Sequence, residues 1–451
     1  MKFRKFGKAL LMSAISAGVV LSISSCVQSY TVAFLYVTGT QTSGSGTGRG
    51  IISGFKVDHN TGKLTAINGL PVASGGANPI RAELLTGSRF LYVLNQGADA
   101  GGGSNCTSSA APCKGSIVQF TVSGNGSLIQ QQIFYPQGNN SWRMFSDATG
   151  SHLYVLDRDA PDSGAAGKNS CSLALGPLAT TCGDITVFNI DPSTGRLSLV
   201  ANAQVTSATG APLPYFPVPA NAIDFVLTGQ YVLTLAATPS GDVVFPYNAN
   251  VANGQLSISQ NTAQPINAHK ATAIQAGSTG IYVLDNEPAT INGTTYQAQI
   301  LPFTIGSGGA LQAQGSGVIP DDPNETNPLF VLIEKGQSSK WAYVANSGDN
   351  TNQNNAQSGI TGYVIDKATD QLTPMAGSPF ASPQGSGAGP RCLVEDPSNQ
   401  FIYTANFNDS SVTGRSIDHN SGVLRSLPGA ANRSYALPGP ATYCVMNGRT
   451  S

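Results

Sequence analysis

The side chains able to do acid–base or anion chemistry are few, and they recur at one place in a repeated pattern. Arg81, Arg143 and Arg391 stand near the start of short segments opened by Pro or a polar residue: Asn78-Pro79-Ile80-Arg81, Ser141-Trp142-Arg143 and Gly389-Pro390-Arg391. His269 opens another such segment, His269-Lys270-Ala271. A guanidinium matches the geometry of a carboxylate or phosphate, and an imidazole titrates near neutral pH. His269 with Arg143 and Arg391 is therefore the candidate catalytic set, a general base with cations that could stabilise a developing oxyanion. Arg81, Glu83, Asp224, Glu334 and Glu395 lie on the same class of segment and are candidate ligand-binding residues. The plainer reading of the carboxylates is ion pairing between neighbouring modules.

Other familiar chemistries are missing. There is no Gly-x-Ser-x-Gly and no His-Glu-x-x-His, so common hydrolase signatures are absent. The glycine-rich run 44–50 is not followed by Gly-Lys-Ser/Thr or a helix pattern, which argues against a phosphate cradle. The stretch Asp349 to Asn355 is too rich in Asn and Gln for a calcium loop. No metal and no cofactor are expected.

The elements that must position these residues are read from Phe401-Ile402-Tyr403-Thr404-Ala405-Asn406 and its copies. Close variants are Leu91-Tyr92-Val93-Leu94-Asn95, Leu153-Tyr154-Val155-Leu156-Asp157, Ile281-Tyr282-Val283-Leu284-Asp285 and Ala342-Tyr343-Val344-Ala345-Asn346. Leu35-Tyr36-Val37-Thr38 and Tyr231-Val232-Leu233-Thr234 are looser copies, bringing the number to seven. Aromatic and β-branched residues in a near-continuous apolar run predict a strand covered on both faces. Each copy follows one of the opening segments and precedes a third strand and a stereotyped turn, as in Asp191-Pro192-Ser193-Thr194-Gly195-Arg196-Leu197. Four strands per module predict an all-β, seven-bladed β-propeller.

The first module lacks an inner strand, and the chain ends on a spare one, Pro440 to Met446. The C-terminal strand is thus expected to complete the first blade and leave no open seam. Strand alternation puts the long loops after the repeated strand on one face, together with the openings of the inner strands. Any site is expected there, because variable loops on a rigid scaffold carry function. Asn95, Asp157, Asp285, Asn346 and Asn406 point to the same face, as loop caps or as a ring of metal or sugar ligands. An exposed apolar patch around Tyr215, Phe216 and Pro217 would instead suit a protein-interaction scaffold.

Composition fits this reading. The 52 Gly and 27 Pro among 451 residues suit a turn-dense β chain, and a net charge of −1 argues against nucleic acid. Lys2, Arg4, Lys5 and Lys8 precede an apolar run from Ala9 to Ser22 that is too short for an ordinary membrane span. Residues 1–25 are expected to be an export signal, 26–32 a short tether and 33–448 the propeller. Ile23-Ser24-Ser25-Cys26 resembles a bacterial lipobox, which implies an acylated Cys26 and anchorage in the cell envelope. The other six cysteines are expected to pair locally in an oxidising compartment, as Cys106–Cys113, Cys171–Cys182 and Cys392–Cys444.

The module running from Asn78-Pro79 through Phe90-Leu91-Tyr92-Val93-Leu94-Asn95 and Gly115 to Val122 resembles the lactonase-type seven-bladed propellers. These include bacterial 6-phosphogluconolactonase and fungal carboxymuconate cyclase. The resemblance implies a protein that binds, and in enzymatic members hydrolyses, a small anionic lactone or sugar acid near the channel; a monomer is expected. Arg143, Arg391 and His269 would match residues of that kind. Tyr403-Thr404-Ala405-Asn406 also resembles surface-layer propellers, which implies a glycan- or protein-binding scaffold instead.

Overall fold

The computed structural model describes residues 30–448 apart from 43–47, 86–88, 98–113, 278–279, 335–339, 349–356, 382–387, 429–433, 168, 203, 208, 261 and 316. Seven antiparallel sheets form the blades of a propeller, each with strands A to D from the axis outward. Blade 1 is built from both chain ends: strand A is Ala441–Gly448, and B, C and D are Thr31–Thr40, Gly50–Asp58 and Leu64–Ala66. Ala33 lies opposite Gly448 and Tyr36 opposite Val445, so the ring closes as expected. Blades 2 to 7 have A strands Ala77–Leu84, Asn139–Ser146, Ala222–Thr228, Ala271–Ala276, Pro328–Ile333 and Pro390–Glu395. Their B strands are Phe90–Gly97, His152–Asp159, Tyr231–Ala236, Gly280–Asp285, Trp341–Asn346 and Phe401–Asn406.

Cys392 is bonded to Cys444 across the junction of blades 7 and 1, and Cys171 to Cys182 within the blade 3 loop. Cys26, Cys106 and Cys113 lie outside the described residues. The supposed patch at Tyr215, Phe216 and Pro217 is not exposed. Phe216–Pro219 is a strand paired with Cys182–Ile190, and the Tyr215 and Phe216 side chains are buried.

The tyrosine of the repeated strand explains its own recurrence. Its hydroxyl crosses to the next blade and donates to a backbone carbonyl in the turn between strands C and D. The bonds are Tyr36 to Gly126, Tyr92 to Gly195, Tyr282 to Asp370, Tyr343 to Gly422 and Tyr403 to Gly62, at 2.5–2.9 Å. Each acceptor has a positive φ, where glycine carries no steric penalty. A Cβ on Gly62 would also fall 2.6 Å from the Phe401 ring, so the approach demands glycine.

Blade 4 corrects the sequence alignment. Tyr231 lies opposite Asn248 at the start of its strand, and Leu233, opposite Pro246, occupies the position the tyrosine holds elsewhere. Tyr231 nevertheless reaches the next blade, where its hydroxyl accepts from the Gly308 amide at 2.9 Å.

The apolar cores lie between blades. One joins Leu156 and Val187 of blade 3 to Phe225 and Tyr247 of blade 4, and another spans blades 7, 1 and 2 across the closure. Every inner strand also carries a bulge near its start, because the register skips one residue: Ile80, Trp142, Ile223, Thr272, Leu329, Arg391 and Thr442. Most of these strands are entered through a left-handed residue, namely Asn78, Asn140, Asn221, Asn327 or Gly389. Asn and Gly tolerate that conformation, which accounts for the Asn-Pro and Gly-Pro openings.

Tyr403→Phe leaves the Gly62 carbonyl buried without its donor at the ring closure. It should cost about 1–3 kcal/mol, read as a lower urea midpoint. A midpoint equal to wild type would refute the tyrosine as a lock between blades.

Candidate functional site

The residues after the bulges converge on the axis. Arg81, Arg143, Asp224, Phe330 and Tyr443 come from five different inner strands and meet there. Asp224 receives Arg143 Nε at 3.1 Å and lies 3.9 Å from Arg81 Nη2. Its carboxylate also accepts from the Phe225 and Ile274 amides. The Arg81 guanidinium rests over Tyr443 at 4.3 Å and over Phe145 at 5.1 Å. Tyr443 in turn meets Phe330 edge-on at 6.1 Å.

A third guanidinium stands beside this pair. Arg158, the first residue after Leu156-Asp157, covers the Trp142 ring at 3.6 Å, and Arg143 approaches the same ring at 4.8 Å. Trp142 is pinned by its indole N–H, which donates to the Ile223 carbonyl of the next blade at 2.8 Å. Burial pulls Arg143 down to about 10 despite the charge of Asp224, and Arg81 and Arg158 push it the same way. Arg81 and Arg143 thus share one carboxylate, Asp224, with Arg158 close enough to repel Arg143, an arrangement that favours an incoming anion.

Arg391 is a separate cation. Proline alignment makes it equivalent to Ile80 rather than Arg81, since both are the bulged residues of their strands. Its guanidinium stacks on Phe407 at 3.6 Å, and its buried Nε has no hydrogen-bond partner among the described residues. Burial pulls it down to about 10.

His269 joins neither group. Its imidazole is largely exposed and binds Glu287 at 2.9 Å. That hydrogen bond, then the Glu287 charge, raises it above the usual histidine range, with smaller contributions from Asp285 and Asp242. Arg143 instead contacts Asp224 and Trp142, and Arg391 contacts Phe407. Among the described residues, no hydrogen bond, ion pair or ring contact joins His269, Arg143 and Arg391 to one another.

Glu83, Glu334 and Glu395 sit near the far ends of their inner strands. They line a cavity of about 510 Å3 at the short-turn end of the axis, together with Gln275, Phe330 and Tyr443. Tyr443 lines that cavity and also carries the Arg81 guanidinium over its ring. Of the five proposed ligand-binding residues, only Arg81 and Asp224 share the mouth. Ser146, the Lys340 amide and Asn399 each donate to one of these three glutamates.

The five Asn and Asp residues that end the repeated strands are wholly buried. Four of them act as staples on the segment entering the inner strand. Asn95 binds Ser74, Asp157 binds Ser141 and the Gly138 amide, Asp285 binds the Lys270 amide, and Asn346 binds Glu325. Among the described residues, no cluster of three or more His, Cys, Asp and Glu suited to a metal occurs. Sequence reading missed Arg158, and Trp142, which occupies a bulge that strand patterning does not reveal. A basic residue directly after a Leu-Tyr-Val-Leu-Asp strand was the signal for Arg158.

The structure is a seven-bladed propeller with arginine side chains gathered at one mouth of its axis. Solved structures of similar fold include a Bacteroides fragilis protein provisionally described as a 6-phosphogluconolactonase, at 15% identity and TM-score 0.61, covering 92% of this chain and 98% of that one. A Bacteroides uniformis protein of the same provisional description matches at 12% identity and TM-score 0.62, over 92% and 100% of the two chains. A Pseudomonas aeruginosa periplasmic gluconolactonase matches at 15% identity and TM-score 0.59, over 92% and 99%. The chain therefore has the lactonase-type propeller fold. No protein-family model and no curated protein matches the chain.

Asp224→Asn would leave Arg81 and Arg143 without their shared counter-charge. Removing one partner of a buried ion pair costs about 3–5 kcal/mol, so the variant should melt well below wild type. Added phosphate should restore part of the loss; a wild-type melting temperature would show that Asp224 balances nothing.

Proposed function

We propose that this propeller binds a small anionic sugar acid or sugar-derived lactone at the mouth formed by Arg81, Arg143, Arg158 and Trp142. The observation that carries the reading is the gathering of Arg81, Arg143 and Arg158, with Asp224 paired to Arg81 and Arg143 and Arg158 stacked on Trp142 beside them. The sugar class comes from the names of the structures with this fold, and the aromatic face of Trp142 suits a sugar ring. Hydrolysis run by His269 with Arg143 or Arg391 has no geometric support, so binding without that catalytic set is the favoured function. A glycan- or protein-binding scaffold remains the second reading, without the Tyr215–Pro217 patch.

Calorimetric titration with D-gluconate and 6-phosphogluconate, with glucose as the neutral control, tests this. Arg143→Ala and Arg158→Ala should each weaken the acids by roughly tenfold to a hundredfold, the value of one charge-assisted bond. His59→Ala, on the opposite face, should change nothing. Binding that survives both arginine substitutions, or glucose binding as tightly as gluconate, would reject the reading. A lactone-hydrolysis screen that finds activity abolished by His269→Ala would restore the catalytic one.

We further propose that Cys26 is acylated and tethers the propeller to the bacterial envelope, as the basic, apolar and Ile-Ser-Ser-Cys sequence pattern implies. The two disulfides are consistent with an oxidising, exported setting. Mass spectrometry of the N-terminal peptide from envelope fractions should find lipid on Cys26, and Cys26→Ser should release the protein. An unmodified N-terminus elsewhere would rule this out.

A further inference from the structure

Directly behind the arginine mouth, blade 3 holds two acids that the ligand reading does not use. Asp157 and Asp184 lie opposite each other on strands B and C, and both are completely buried. Asp157 accepts from Ser141 Oγ at 2.5 Å and from the Gly138 amide at 3.2 Å. Asp184 accepts from Thr186 Oγ at 3.1 Å, and Thr186 in turn accepts from the Gln137 amide. The pair thereby holds the segment that enters the inner strand. Gly138 is required there, because a Cβ would fall 2.0 Å from Asp184 Oδ1.

The segment so held ends at the ligand site. Ser141 pairs with Asp157 and Arg143 with Leu156, and the skipped residue between them is Trp142. The Asp157–Ser141 bond therefore fixes the residue from which the bulge springs. That bulge aims Trp142 and Arg143 at the mouth.

We propose that Asp157 and Asp184 are a positioning pair that must hold a proton to keep Trp142 and Arg143 in place, so that losing this proton weakens ligand binding. The proposal rests on the anion-binding reading of the arginine mouth. Two carboxylates directly opposed in a buried site cannot both ionise at ordinary cost. Asp184 Oδ1 has no hydrogen-bond partner among the described residues, so ionisation there would go uncompensated. Of the charged groups around the pair, Asp159 and Asp162 add repulsion, and Lys114 acts favourably on Asp157.

Burial pushes Asp157 up to about 7, and burial followed by the charge of Asp157 raises Asp184 well above the usual carboxylate range. The folded state thus keeps protons that the unfolded chain releases near pH 4, so protonation favours the folded arrangement. The advantage shrinks as pH rises from about 4 toward about 7 and is gone once the folded-state acids ionise.

The test uses gluconate, whose carboxylate stays ionised between about pH 5.5 and about pH 8.5. Its affinity for wild type should fall about tenfold over that range. Asp184→Asn, which mimics the protonated acid, should bind equally well at both ends, and Asp157→Asn is the second variant if the first does not fold. Trp142 supplies a readout independent of ligand, since the chain has only two tryptophans. In a Trp341→Phe background, its ligand-free emission should shift through neutral pH, and Asp184→Asn should abolish the shift.

Should Trp341→Phe fold poorly, the difference between wild type and Trp142→Phe gives the same signal. A Trp142 emission constant across this range, or shifting alike in wild type and Asp184→Asn, overturns the proposal. If gluconate fails to bind at any pH while the Trp142 shift depends on Asp184, the ligand reading falls and the positioning pair stands.

Discussion

A tyrosine hydroxyl bonded into the turn of the neighbouring blade, seen at five of the seven junctions, is the constraint on which the ring depends. Hydrogen bonds within a blade satisfy its own backbone and say nothing about how blades stack. Apolar packing between blades is close to isotropic and would tolerate sliding. A buried hydroxyl that finds its acceptor at one point on the adjacent turn fixes both angle and height. Because Tyr403 of blade 7 reaches Gly62 of blade 1, the same contact that sets four other junctions also closes the circle. Near the axis it has a counterpart in the bulged residues. Thr442, Trp142 and Thr272 donate to carbonyls of the following inner strand.

This constraint made the fold legible. A tyrosine that must meet a left-handed residue, glycine at four of the five junctions and Asp370 at the other, leaves two marks, the repeated aromatic strand and the tight turn, and both survive where the rest of the blade drifts. Tyr231 was placed in the wrong register because its hydroxyl does the same job from two residues earlier in the strand. Pattern alone cannot separate two side chains that reach one turn from different starting points. Closure by the C-terminal strand was legible for a simpler reason: a missing inner strand and a spare one must meet.

The site was only partly legible, because it depends on a bulge. One extra residue moves every following side chain to the other face, so arginines at similar distances from a proline reach different places. Arg81 and Arg143 follow the bulge and reach the axis, whereas Arg391 is the bulge and lies on Phe407. The glutamates were grouped with the arginines because they share strands. Yet a strand of six to eight residues spans the full depth of the ring, and its two ends face different solvent. His269 was chosen for its rarity and its position, and an exposed imidazole paired with Glu287 shows that rarity is not proximity.

Seven near-identical blades create a symmetric axis, and binding specificity requires that the symmetry be broken. In the layer after the bulges, blades 2, 3 and 4 contribute Arg81, Arg143 and Asp224, while blades 5, 6, 7 and 1 contribute Ala273, Phe330, Cys392 and Tyr443. The charged half lies on one side and the uncharged half on the other, so the field at the mouth points across the axis. Arg158 and Trp142 reinforce the same side. An anion entering from the loop-rich face would be drawn off-centre toward blades 2 to 4, with Tyr443 and Phe330 below it. The repeats build the frame. The few residues that depart from the repeat at one depth give it a direction, and in a chain with so little charge their concentration there sets the chemistry of the mouth.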